Sequence, residues 1–191
     1  MNLRPVLLTF ALALTGATLA AAAGTASARI RTVTDPDAPR ALPEQGPVSV
    51  TWDDPANFTE IRYSLNKYES RRGDWVEQLA QHLRERAEKR LPPGEQLQVN
   101  ITDIDRAGAY EPWRGVQFYD TRFILDIYPP RMTFNYRRIG ARGEVVAEGE
   151  REIRDMGYLM VSNPYFNSDT LRYEKAMIDR WVSQELRRPG T

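Results

Sequence analysis

The sequence predicts an α+β fold, a two-layer sandwich whose mostly antiparallel sheet, in the order β-α-β-β-β-α, is covered on one face by two helices. Three observations predict it. Apolar and polar residues alternate at a period of two across 48–52, 97–101, 123–128 and 132–139, as half-buried strands require. Val76, Leu79, Leu83 and Ala87 recur at helical spacing, and Met177, Ile178, Trp181 and Val182 lie toward one side of a second helical stretch. The later joints are hairpin-length, which suits antiparallel neighbours.

The elements follow from the residues. Residues 1–28 read as a cleaved secretory signal: Arg4 precedes a short apolar core over 6–19, and Ala26-Ser27-Ala28 fits a small-residue cleavage site near Ala28. That core is shorter than the roughly 20 residues a membrane-spanning helix needs, so no stable membrane insertion is expected after cleavage and the predicted location is periplasmic. Residues 29–47 hold four prolines among polar residues without a hydrophobic period, which predicts a disordered Pro-rich linker. A single domain is expected over 48–188.

Val48, Val50 and Trp52 share one face of the first strand, which Pro55 ends. Asp74 followed by Glu77 reads as a capping box opening the first helix, and Pro92-Pro93-Gly94 stops it. Leu97, Val99 and Ile101 line one face of the next strand, Phe123, Leu125 and Ile127 another, and Met132, Phe134 and Tyr136 a third. The last strand, 145–153, carries Glu148, Glu150 and Glu152 on one side, as a protected edge does. Setting Met132 opposite Ile153 places Arg137, Asn135 and Thr133 opposite those glutamates, a register that satisfies both faces. Asp169 is placed to cap the second helix, 171–187, with Pro189 marking its end.

Composition bounds the function. Lys+Arg and Asp+Glu balance at 26 each, so no global field recruits nucleic acid. Cysteine is absent, which removes disulfides, thiolate metal sites and cysteine nucleophiles. The single His82 reads as a satisfied boundary histidine rather than a ligand, because no second histidine or cysteine accompanies it. Serine-histidine-aspartate, phosphate-loop and zinc-helix motifs are missing, so neither a catalytic residue nor a cofactor is assigned.

Two features could carry chemistry. Asp103 and Asp105 stand two apart on one strand, about 6.6 Å from each other, a spacing at which two carboxylates can act on one ligand. Strict alternation puts them on the face of Leu97, Val99 and Ile101, where they would need a partner such as Arg106, Arg114 or Arg122; a bulge at Ile104 would instead flip them out to finish the strand. The loop after them combines Tyr110, Glu111, Trp113 and Arg114, the aromatic, cationic and acidic mixture that recognition surfaces use. Its alternative use is to plug the open end of the sandwich. Chain topology gathers 53–73, 106–119 and 140–143 at one end of the sheet, and 92–95, 129–130 and 156–168 at the other. The candidate ligand- or partner-binding set is therefore Asp103, Asp105, Tyr110, Glu111, Trp113, Arg114 and Arg122.

The motifs Ile101-Thr102-Asp103-Ile104-Asp105, Glu111-Pro112-Trp113, Tyr128-Pro129-Pro130-Arg131, Glu148-Gly149-Glu150 and Leu171-Arg172-Tyr173-Glu174-Lys175 are spread between Val48 and Leu186. In these motifs the chain resembles a domain-of-unknown-function family of exported proteobacterial proteins, DUF 3016. The resemblance implies a Gram-negative, periplasmic setting and transfers no reaction, ligand or functional residue. The expected function is a non-catalytic binding or accessory module of the cell envelope, with an envelope protein or periplasmic ligand as partner. The alternative is a small-ligand enzyme or hydrolase using the Asp103/Asp105 pair.

Overall fold

Val48, Val50 and Trp52 are buried and Ser49 and Thr51 exposed, the alternation that makes β1 (Val48–Trp52). The computed structural model describes residues 31–160, 162–165 and 167–186. The expected signal peptide, its cleavage after Ala28, Phe166 and Pro189 lie outside the described residues.

After β1 come two short helices, α1 (Thr59–Arg62) and α2 (Lys67–Arg71), and then the long α3 (Trp75–Glu88). The strand β2 (Gln96–Asp105) follows, and a two-stranded ribbon pairs β3 (Ala109–Tyr110) with β4 (Arg122–Phe123). The chain closes with β5 (Arg131–Ile139), β6 (Val145–Arg154) and α4 (Arg172–Glu185). The main sheet runs β1-β2-β5-β6. Its β2–β5 and β5–β6 pairs are antiparallel, whereas β1 joins β2 in parallel, because the α3 crossover returns the chain in the same direction.

Both long helices cover one face of the sheet. α3 packs on β1 and α4, and α4 reaches β6. Leu79, Leu83, Ile178 and Val182 join Val50, Val99, Ile101 and Phe134 in one core. Trp181 meets Phe134 edge-on at 4.6 Å and Tyr136 at 5.9 Å, the geometry that aromatic quadrupoles favour. On the opposite face Ser49, Thr51, Gln98, Asn135 and Arg137 are exposed. The fold is thus the α+β sandwich that the hydrophobic pattern predicts. The β5–β6 register is also the expected one: Met132 faces Ile153, and Thr133, Asn135 and Arg137 face Glu152, Glu150 and Glu148.

Five expectations are corrected. The segment 123–128 is not a strand of the main sheet; beyond Phe123 it turns, with the Tyr128 N–H bonded to the Leu125 carbonyl, and Ile127 is 65% exposed. Pro129 and Pro130 follow at once and offer no backbone donors for a ladder. With one strand fewer, the polarity of the later strands reverses. Gly140–Gly143 therefore moves to the far end, and 129–130 and 156–160 join 53–73 and 106–119 at the near end. Residues 31–47 lie against the fold instead of forming a free tether: Thr32 bridges Arg72, Ala41 bridges Thr51, and Leu42 enters the core. Asp74 makes no capping bond to α3; its carboxylate takes Gln78 Nε2 and Arg31 Nη1 instead. Asp169 bonds the Leu171 N–H, ahead of the position that caps α4.

Candidate functional site

The parity of β2 decides where its two aspartates go. A register shift between Ile101 and Asp103 sends Ile104 fully into the core and turns Asp103 and Asp105 away from it. The bulge is at Thr102 rather than Ile104, with the parity flip expected of one. Asp103 then caps α1 from across the structure. It accepts the Thr59 N–H at 2.6 Å and the Thr59 hydroxyl at 2.7 Å, replacing a cap that Phe58 cannot supply. The aspartates' cationic neighbour is Arg131, whose Nη2 lies 3.5 Å from Asp103 and 3.8 Å from Asp105. It is none of Arg106, Arg114 or Arg122.

Arg106 and Arg122 instead converge on Glu60, the second residue of α1. Arg122 Nη1 and Nη2 donate to Oε1 and Oε2 at 2.7 Å each, and Arg106 adds its Nη2 at 2.9 Å and its N–H at 3.1 Å. Burial alone would raise the Glu60 carboxyl, but the charges and hydrogen bonds of Arg122 and Arg106 hold it below the usual range. Arg122 also donates to the carbonyls of Ala107, Arg106 and Gly108. The loop is gripped from α4 as well, where Glu174 Oε1 accepts the Ala107 N–H at 2.7 Å. Gly108 has φ +80, and a Cβ there would sit 2.6 Å from the Phe123 carbonyl oxygen, so this turn needs glycine.

This framework fixes the aromatic segment that follows. Glu111 is buried, pairs with Arg114 and accepts the Tyr128 hydroxyl at 2.8 Å. Arg114 in turn lies over the Phe123 ring at 4.5 Å. Asn66 is buried at the start of α2 and donates to the Tyr119 carbonyl and the Asp120 carboxylate, tying the two loops together. Between them lies a cavity of about 230 Å³ lined in part by Glu60, Tyr63, Asp105, Tyr110, Trp113, Arg122 and Tyr128.

Of the seven candidate residues, Asp105, Tyr110, Trp113 and Arg122 line this cavity. Asp103 is taken up by Thr59, and Glu111 and Arg114 support the loop. Trp113 does not plug the sandwich: it is 65% exposed. Sequence reasoning misses Glu60, Tyr63 and Tyr128. A four-residue helix carries no amphipathic period, so nothing but a glutamate in its first turn marks Glu60.

The charged groups of the cavity differ in what they have left to offer. Glu60 and Arg122 satisfy one another. Among the described residues no hydrogen bond reaches the Asp105 carboxylate, and burial followed by the Glu60 charge pushes it up to about 6 against the pull of Arg131. His82 lies elsewhere, between α3 and α4, with Nε2 2.9 Å from Asp179 Oδ1 and 3.2 Å from the Tyr165 hydroxyl. Arg86 holds the same aspartate through two bonds, which makes His82 a satisfied boundary residue. Among the described residues no group of three or more metal-ligating side chains is assembled.

No curated protein and no solved structure matches the chain. A family described as "Protein of unknown function (DUF3016)" matches residues 46–184, from just ahead of β1 to the last turn of α4. Through that match the chain belongs to the DUF3016 family.

Proposed function

We propose that the domain is a non-catalytic recognition module of the cell envelope, exported to the periplasm, that holds a partner at the Trp113 end of its sheet. The observation that carries this reading is an exposed tryptophan beside a cavity whose frame is fixed by the ion pair of buried Glu60 with Arg122. Exposed anchors on a rigid frame give binding energy at little cost in ordering. Tyr63, Leu65 and Tyr119 are also exposed here, and a cluster of exposed apolar groups marks an interaction surface. The short apolar N-terminal stretch with Ala26-Ser27-Ala28 supports export.

The reading as a hydrolase acting through Asp103 and Asp105 is weaker. Both oxygens of Asp103 are bonded to Thr59, so the pair does not present two free carboxylates to one substrate. Crosslinking pull-downs from the periplasm test the proposal. Wild type is expected to capture a discrete partner that Trp113→Ala loses and Asn135→Ala, on the polar sheet face, retains. Equal capture by all three chains would overturn it.

A further inference from the structure

We propose that the cavity beside Trp113 binds an organic cation, an alkylammonium or guanidinium group, with the Asp105 carboxylate as its counter-ion and aromatic side chains as its walls. This rests on the recognition reading above and names the chemistry of what is recognised.

Three observations converge on it. The first is the lining. Tyr63, Tyr110, Trp113 and Tyr128 contribute to one cavity, and aromatic walls attract cations through the negative potential of their ring faces. The protein already uses that attraction at this spot, since the Arg122 guanidinium carbon lies 5.3 Å from the centre of the Tyr110 ring.

The second is the state of the charged groups. Glu60 and Arg122 are bonded to each other, so neither is free to receive a ligand. Asp105 lines the same space with no hydrogen bond from any described residue. Its nearest guanidinium, on Arg131, is shared with Asp103 and with Glu152, whose Oε2 is 3.9 Å from Nη1. Among the charged residues that line the cavity, the carboxylates of Glu60 and Asp105 outnumber the single guanidinium of Arg122. The local balance is negative, which favours a cation and opposes an anion.

The third is size. About 230 Å³ lies below the roughly 300–1,000 Å³ of drug-sized sites. It suits one amine or guanidine group with its methylene stem, either the side chain of a partner's lysine or arginine or a free diamine. The charge of a bound cation would also offset the burial and the Glu60 repulsion that raise the Asp105 carboxyl to about 6. Binding is then coupled to loss of a proton. The charged groups facing Asp105 are Glu60, Arg122, Asp103 and Arg131.

The test titrates the purified protein with three probes, followed by calorimetry and by the indole N–H signal of Trp113. The probes are an acetylated and amidated Gly-Arg-Gly peptide, the same peptide with citrulline in place of arginine, and putrescine. A cationic probe is expected to bind about tenfold or more tightly than the citrulline peptide. It should lose about tenfold in affinity between pH 7.5 and pH 5 as Asp105 takes up its proton, and lose at least as much in Asp105→Asn. Preference for the arginine peptide assigns the cation to a partner's side chain, and preference for putrescine to a free amine; either supports the proposal. Equal binding of the citrulline peptide, no binding of either cation, or an unchanged affinity in Asp105→Asn overturns it. If Trp113→Ala still abolishes partner capture in that case, the recognition reading stands and the cation alone is refuted.

Discussion

Arg122 grips Glu60 through two parallel hydrogen bonds of 2.7 Å each, joining β4 to α1 across 62 residues of sequence. Glu60 is 4% exposed, and a carboxylate at that depth is tolerated because guanidiniums satisfy it. Removing the charge strands two arginines whose side chains are only 13% and 18% exposed. Glu60→Gln is expected to cost about 3–5 kcal/mol in urea unfolding at pH 7. The folded-state pKa of Glu60 is lowered, so this stabilisation is present above the unfolded value near 4.5 and disappears as pH falls through the lower folded value. The gap between wild type and Glu60→Gln should accordingly narrow in strong acid.

The reversed parity of β2 is checked by a pair of truncations. Ile104 is fully buried and Ile127 is 65% exposed, the opposite of what unbroken alternation and a strand over 123–128 would produce. Ile104→Ala should cost about 2–5 kcal/mol, and Ile127→Ala less than about 0.5 kcal/mol. Chemical denaturation of the two variants reads both values directly.

Asp179 is the hub between α3 and α4, accepting from His82, Arg86 and Tyr165. Burial opposes its charge, yet these bonds outweigh it and bring the carboxyl down to about 2. Asp179→Asn is predicted to lose about 2 kcal/mol at neutral pH, the scale of hydrogen bonds to charged groups. A lowered carboxylate stabilises above its unfolded pKa near 3.8 and stops doing so as pH drops through about 2. Unfolding curves taken between pH 4 and pH 2 should therefore converge.

Asp105 has the opposite sign. Its folded pKa is raised to about 6 from 3.8, so its contribution is fully present below pH 3.8 and is lost as pH rises through about 6. Asp105→Asn should gain stability relative to wild type across that window. Its carboxylate is 38% exposed, and solvent screening reduces the gain at pH 7 to on the order of 1 kcal/mol. Thermal melts at pH 4 and pH 7 give the difference; a variant less stable than wild type at pH 7 would contradict the assignment. A carboxylate that destabilises its own fold is the kind of group a binding site retains.

What the sequence reveals tracks how local the determining interactions are. The β5–β6 register is legible because Thr133, Asn135 and Arg137 oppose glutamates at the same period of two, and a one-residue slip would misplace both faces. The buried stripe of α3 is legible from Val76, Leu79, Leu83 and Ala87 alone. The bulge at Thr102 is not, since it inserts one residue into an otherwise continuous alternation. It exchanges Ile104 for Asp103 at the core and so decides the fate of the candidate pair. Trp113 and Arg122 stand out by residue type, but Glu60 does not, because its partners are remote in sequence. Residues 31–47 mislead for a related reason: only Leu42 enters the core and Val33 packs against it, the rest being held by backbone bridges, and two such residues make no period.

The central claim is that the Trp113 end of the sheet is where this protein recognises its partner. The most direct measurement is a calorimetric titration of the partner recovered by crosslinking into wild type and Trp113→Ala at pH 7.5. An aromatic anchor that becomes buried only on binding predicts a loss of about tenfold or more in affinity with unchanged unfolding of the variant. An affinity equal to that of wild type would contradict the account.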